Sequence, residues 1–201
     1  MLLEEAKIRL NSIDKNKAPI PKKNKGARGQ WVEQQLGLDL GSDLLDFDDG
    51  EGKSFTKGQT IAVTMLQHCL PQIMDKSISY SQSKVGKKLE RVLFVGFEKN
   101  TGIYADTRVF TVEEYAHLFY QLSEDYNYIC EEIRTRFNNN MELSTINGPR
   151  DKNGKHKLLQ IRTKASKKDD GTYTPLEYNG KRLKNKAMAF YLTRKFENLI
   201  F

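Results

Sequence analysis

An α/β fold is what this sequence predicts, and three observations carry the prediction. Short runs rich in β-branched and aromatic residues, at positions 60–66, 91–97 and 158–164, have the length and composition of strands. Between the second and third of these runs lies a stretch with apolar residues at helical spacing, over 112–137. With 201 residues, 38% of them hydrophobic, the chain can bury a core as one domain or as two tightly packed lobes, without disulfide or metal staples.

Element by element, Leu2, Leu3, Ala6 and Leu10 recur at helical spacing and predict a short first helix. The polar stretch 14–24, with Pro19 and Pro21, breaks that pattern and reads as a linker. Residues 26–36, GARGQWVEQQL, predict a second helix. Leu44, Leu45 and Phe47 open a strand, Asp48-Asp49-Gly50 forms a turn, and a second strand runs from Glu51 to Phe55. Thr111 with Glu114 three residues on has the form of a capping box for the long helix, whose stripe of Tyr115, Leu118, Phe119, Leu122, Tyr126 and Ile129 is core packing. Residues 147–157 read as a Gly- and Lys-rich turn, 166–180 as a polar loop, and 187–201 as a closing helix. There is no internal repeat.

Charge and composition narrow the function. No run of eighteen apolar residues occurs, and the first thirteen residues carry Glu4, Glu5, Lys7 and Arg9, so the expectation is a cytoplasmic protein without a membrane partner. Two cysteines and three scattered histidines argue against a disulfide framework or a zinc site. The net charge of +7 is concentrated: residues 151–201 hold ten Lys and three Arg against three Asp and two Glu, while the rest is near neutral. A basic surface confined to one segment suits a polyanion, because each phosphate neutralised releases counterions.

The stretch LLDFDDGEGKSF carries the chemistry. Side chains two apart on a strand share a face, so Glu51 and Lys53 project together, and Asp46 can come back across the turn towards Glu51. Two oxygen ligands and one cation then share a pocket. Phosphodiester hydrolysis asks for such a set, since a water must lose a proton and a leaving oxygen must carry new charge. Mg2+ prefers carboxylate oxygens and water, and a neighbouring lysine can orient the water or stabilise the transition state.

Four segments, in order, resemble the MutH mismatch-repair endonuclease and the related type II restriction endonucleases that cut at GATC. They are Lys25-Gly26 with Gly29-Gln30-Trp31-Val32-Glu33 and Leu36-Gly37; Asp46-Phe47 with Glu51-Gly52-Lys53-Ser54; Val85 with Lys88-Leu89 and Arg91-Val92-Leu93; and the run from Leu159 through Arg162 and Lys164 to Ala165, followed by Phe190-Tyr191-Leu192. Together they cover the chain from about residue 25 to its end. The resemblance implies a restriction-endonuclease-like mixed sheet flanked by helices, with a catalytic lobe over about 25–140 and a DNA-clasping recognition lobe over 141–201. It implies that Glu33 joins Asp46 and Glu51 as metal ligands beside Lys53, and that Lys88 lies close to the scissile phosphate. It also implies that Lys25, Arg162, Lys164 and Tyr191 reach double-stranded DNA.

Three departures stand out. The Asp-to-Glu spacing is shorter than in MutH, which leaves Asp48 and Asp49 as alternatives to Asp46. Position 52 is Gly where the family usually has an apolar residue, and position 163 is Thr where MutH has Pro. The expectation is thus a Mg2+-dependent, sequence-specific restriction endonuclease. A repair nickase and a non-catalytic DNA-binding module of a larger enzyme are the rivals. One site cuts one strand per encounter, so a double-strand break calls for rebinding, a transient dimer on DNA or a companion domain.

Overall fold

The computed structural model describes residues 1–14, 26–38, 45–143 and 145–201. Over these the chain forms α1 (Leu3–Asn11), α2 (Ala27–Leu36), β1 (Glu51–Thr56), β2 (Ile61–Met65), α3 (Leu70–Met74), α4 (Lys84–Glu90), β3 (Arg91–Phe97), β4 (Tyr104–Thr111) and α5 (Ala116–Asn138). There follow β5 (Leu159–Thr163), β6 (Leu176–Tyr178), β7 (Lys181–Lys184), β8 (Met188–Leu192) and α6 (Arg194–Ile200). The architecture is mixed α and β, and among the described residues no helix is long and apolar enough to cross a membrane. The expected linker at 14–24 lies almost wholly outside the described residues, as do Leu44 and Lys25.

The first sheet has the order β1-β3-β4, with β1 parallel to β3 and β4 antiparallel to it, so it is mixed and β1 forms one edge. Its two faces follow the alternation along β3. Leu93, Val95 and Phe97 pack under α1 and α2, against Leu3, Ala6, Leu10, Val32 and Leu36. Val92 and Phe94 point the other way, with Phe55 and Phe110, into a larger core closed by α5 and a second sheet. That second sheet is antiparallel, with the order β2-β8-β5, and therefore draws its strands from distant parts of the chain. Tyr126 and Phe190, 5.7 Å apart, join α5 to its central strand.

Four expectations are corrected, the start of the long helix included, and one strand is added. The strand ahead of Glu51 shrinks to a single bridge between Phe47 and Gly50 around the Asp48-Asp49 turn. Residues 104–111 form β4, which the sequence reading passed over although Thr107, Val109, Phe110 and Thr111 carry the composition of a strand. Within the predicted polar loop and beyond it, β6 and β7 form a hairpin, turned by Asn179 and Gly180 at φ of +48° and +74°, a pairing that matches strand twist. Finally, the expected helix from 187 divides into β8 and α6: Met188–Leu192 is apolar throughout because it is the central strand of its sheet, and Thr193 then caps α6 by accepting from the Phe196 amide at 3.4 Å.

The long helix begins at Ala116, later than the capping pattern suggests. Thr111 Oγ1 does accept from the Glu114 amide at 3.3 Å, but this closes a turn ahead of the helix, where Tyr115 stacks on Phe110. Leu118, Leu122, Tyr126 and Ile129 are buried in the core as the stripe predicts.

Candidate active site

Glu51 opens β1 and is only 2% exposed. A carboxylate taken this far out of water needs compensation. Two lysines provide it on one oxygen. Lys53, two residues on and on the same strand face, bonds Oε1, and Lys88 Nζ donates to the same atom at 2.6 Å. The lysine side chains are themselves 15% and 11% exposed. The other oxygen, Oε2, is buried and has no hydrogen-bond partner among the described residues.

Lys88 reaches Glu51 because α4 is pinned close to the preceding turn. Ser83 caps the helix, its hydroxyl oxygen accepting from the Gly86 amide at 3.0 Å while donating to the Tyr80 carbonyl at 2.6 Å. At Gly86 an added Cβ would lie 1.9 Å from that same Tyr80 carbonyl oxygen, so only glycine permits the approach. One turn beyond the cap, Lys88 faces β1.

On the other side of β1 a cleft of about 590 Å³ opens between α2 and the strand. Glu33, Asp46, Lys53, Ser54 and Lys164 line it. Asp46 is fixed by accepting from the Gly52 amide at 2.8 Å, and an added Cβ at Gly52 would crowd the Phe47 ring at 3.1 Å and Asp46 Oδ2 at 3.2 Å, so both would have to give by a few tenths of an ångström. Asp48 and Asp49 are engaged elsewhere. Asp48 Oδ2 takes the Met1 amino group at 2.6 Å, while Asp49 accepts from the Leu3 amide at 2.8 Å and pairs with Arg91 at 3.3 Å. Of the three aspartates in this stretch, Asp46 is the one at the cleft.

Burial shapes the proton affinities of the cleft. Desolvation raises the Glu33 pKa, Asp46 adds to the rise, and Lys53 opposes it. Lys164, just past β5, is pushed down by desolvation and by the charge of Lys53. Glu33, Asp46, Lys53 and Lys164 are therefore close enough to feel one another, although they come from α2, the turn before β1, β1 itself and the second sheet.

The expected site residues thus fall in two sets joined by Lys53: Glu33, Asp46 and Lys164 on the cleft, and Glu51 with Lys88 behind the strand. Among the described residues no three His, Cys, Asp or Glu side chains converge as a metal-holding group. The donors present are carboxylate oxygens, the type Mg2+ prefers, and Glu51 Oε2 is an acceptor lacking a partner among the described residues. A cation drawn to Oε2 would satisfy that atom, while Glu33 and Asp46, the other carboxylates of the expected set, face the cleft on the far side of the strand.

Arg162 and Tyr191 lie together on the second sheet. Arg162 is exposed, donates to Thr60 Oγ1 at 2.9 Å, and holds its guanidinium 5.7 Å from the Tyr191 ring centre. Tyr191 is half-buried, and desolvation raises its phenol pKa. Lys25 lies outside the described residues. Sequence reasoning did not single out Arg28, which is buried in α2, or Gly86; both need the tertiary contacts to be noticed. Compared with known proteins, the chain matches no family model and no curated sequence.

Proposed function

We propose that this chain is a Mg2+-dependent DNA endonuclease of the MutH-like type, a sequence-specific restriction enzyme acting at GATC. The observation that carries the reading is the state of Glu51: a buried carboxylate with one oxygen bonded by two lysines and the other lacking a partner among the described residues, next to a cleft holding Glu33 and Asp46. A merely structural ion pair would be expected to satisfy both oxygens. The mixed sheet with its acidic residues at the edge strand agrees with a restriction-endonuclease-like core, and the basic segment 151–201 agrees with a lobe that clasps DNA.

In this reading bound Mg2+ supplies a Lewis acid for the scissile phosphate and acidifies a water. Glu33 and Asp46, which share the cleft, are the oxygen donors that would hold it, and Glu51 is the third carboxylate of the proposed set. Lys53 and Lys88, both tethered to Glu51 Oε1, stabilise the charge that develops on the phosphate as the bond breaks. Lys164 adds a third cation on the cleft wall. Arg162 offers the planar fork that reads guanine in the major groove, and its stacking on Tyr191 fixes the direction in which the fork points.

Incubation of the purified protein with unmethylated plasmid bearing GATC sites, with Mg2+ or with EDTA, tests the proposal. Discrete Mg2+-dependent fragments are expected. Glu51→Ala should abolish them while leaving DNA binding largely intact. Cleavage that survives this substitution would sink the site assignment, and an intact plasmid that still shifts on a gel would point to a binding module.

A further inference from the structure

Arg28 stands in α2 under three adverse conditions. It is only 5% exposed. Its guanidinium has no carboxylate within ion-pair distance among the described residues, and Nε has no hydrogen-bond partner there. It also lies in the first turn of the helix, which holds no acidic residue and where the helix dipole favours anions over cations. Burial accordingly lowers its pKa. Helix stability does not explain an arginine here.

What Arg28 does is dock α2 at one point. Nη1 donates to Thr56 Oγ1 at 2.5 Å, Nη2 to the Glu98 carbonyl at 3.3 Å, and the guanidinium lies 5.1 Å from the centre of the Phe97 ring. Thr56 ends β1, Phe97 ends the neighbouring β3, and the two are partners across the sheet. Trp31, three residues further along α2, meets the same Phe97 ring edge-on at 6.0 Å. From Arg28 to Glu33 the helix rises about 7.5 Å. From Thr56 back to Lys53 the strand covers about 10 Å. Fixing Arg28 against the end of β1 therefore sets Glu33 on the cleft that Lys53 and Asp46 also line.

We propose that Arg28 is a positioning residue for the cation site: its fork on Thr56 and Glu98 fixes the register of α2 along β1 and so holds Glu33 in the cleft opposite Asp46. The inference rests on the metal-dependent reading above. Lysine is a compact point charge without the two separate fork nitrogens or the planar face that lies over Phe97, so it does not reproduce the arginine contact.

The test is a double-mutant cycle read by calorimetric titration of the DNA-free protein with Mn2+, using wild type, Arg28→Met, Glu33→Gln and the double variant. Arg28→Met should weaken Mn2+ binding roughly 10- to 100-fold, as loss of an outer support for a ligand commonly does. The double variant should bind no more weakly than Glu33→Gln alone, because Arg28 acts through Glu33. Arg28→Lys should behave like Arg28→Met, and it covers the case in which the methionine variant does not fold. Emission from Trp31, the one tryptophan in the chain, should shift to the red in both as the helix loosens from Phe97. Losses that add in the double variant, or Mn2+ affinity unchanged in both Arg28 variants, overturn the inference alone. A wild-type protein that takes up no Mn2+ overturns the metal reading and this inference with it.

Discussion

Lys88 Nζ lies 2.6 Å from Glu51 Oε1, so the last turn of α4 is tied to the first residue of β1 across 37 positions of sequence. The pair is nearly dry, and Lys53 shares the same oxygen.

Removing Lys88 leaves the buried carboxylate with one lysine. Lys88→Ala should lower stability by about 1–3 kcal/mol, less than for a fully orphaned buried charge because Lys53 remains. Cleavage should fall by a larger factor, on the order of 10² to 10³, the usual cost of losing one preorganised charge at a transition state. Urea melts and single-turnover cleavage measure the two separately. A rate loss no larger than the stability change accounts for would leave Lys88 a structural residue.

Gly86 carries a related prediction. Its position against the Tyr80 carbonyl leaves no room for a side chain, and backbone cannot swing aside as a side chain can. Gly86→Ala should destabilise the fold by roughly 2–3 kcal/mol through overpacking. It should also depress cleavage beyond that, by displacing the helix that presents Lys88. Equal thermal midpoints for the variant and the wild type would show that α4 is not seated as described.

How much of this was legible from sequence follows from how local each feature is. The period of two put Glu51 and Lys53 on one face, and the β-branched run marked β3 to its ends. Met188–Leu192 was not legible, because a short run that is apolar throughout fits a buried strand and a buried helix alike, and only pairing on both sides decides. Which of Asp46, Asp48 and Asp49 lines the cleft likewise depends on partners far away, Leu3 and Arg91 among them. Nothing near position 28 in the sequence signals that an arginine in a polar helix is buried; its acceptors are 28 and 70 residues distant.

A pH dependence follows from Glu197 on α6, whose two carboxylate oxygens both accept from the Gly58 amide, at 2.9 and 3.1 Å, in the turn after β1. Desolvation raises its pKa, and the opposing pull of the Gly58 amide, Lys57 and Arg194 does not cancel the rise. The folded protein thus holds this proton more tightly than the unfolded chain does. The associated stability is fully present below the ordinary glutamate pKa, about 4.3, and is lost as pH rises through the higher folded value. Glu197→Gln keeps an acceptor for Gly58 and no longer titrates. It should therefore melt above wild type at pH 7 and converge with it below about pH 4. A constant gap across that range would show that burial of Glu197 is not what couples the fold to pH.

Arg162 and Lys164 are two residues apart, yet their surroundings separate their tasks. Arg162 reaches Thr60 and stacks on Tyr191 at the exposed sheet surface, whereas Lys164 lines the cleft beside Lys53. Arg162→Ala should cost about 1–3 kcal/mol of discrimination between GATC and single-mismatch sites, with cleavage of the mismatched sites little changed. Tyr191→Phe keeps the aromatic face and should retain that discrimination, while Tyr191→Ala should lose part of it as the guanidinium is freed. Lys164→Ala should slow cleavage at all sites by a similar factor, leaving the ratio between them intact. Cleavage rates on a panel of duplexes differing at one base pair distinguish these patterns. If Arg162→Ala weakens every duplex equally while Lys164→Ala changes the ranking, the two roles are exchanged, and base reading belongs to the cleft wall.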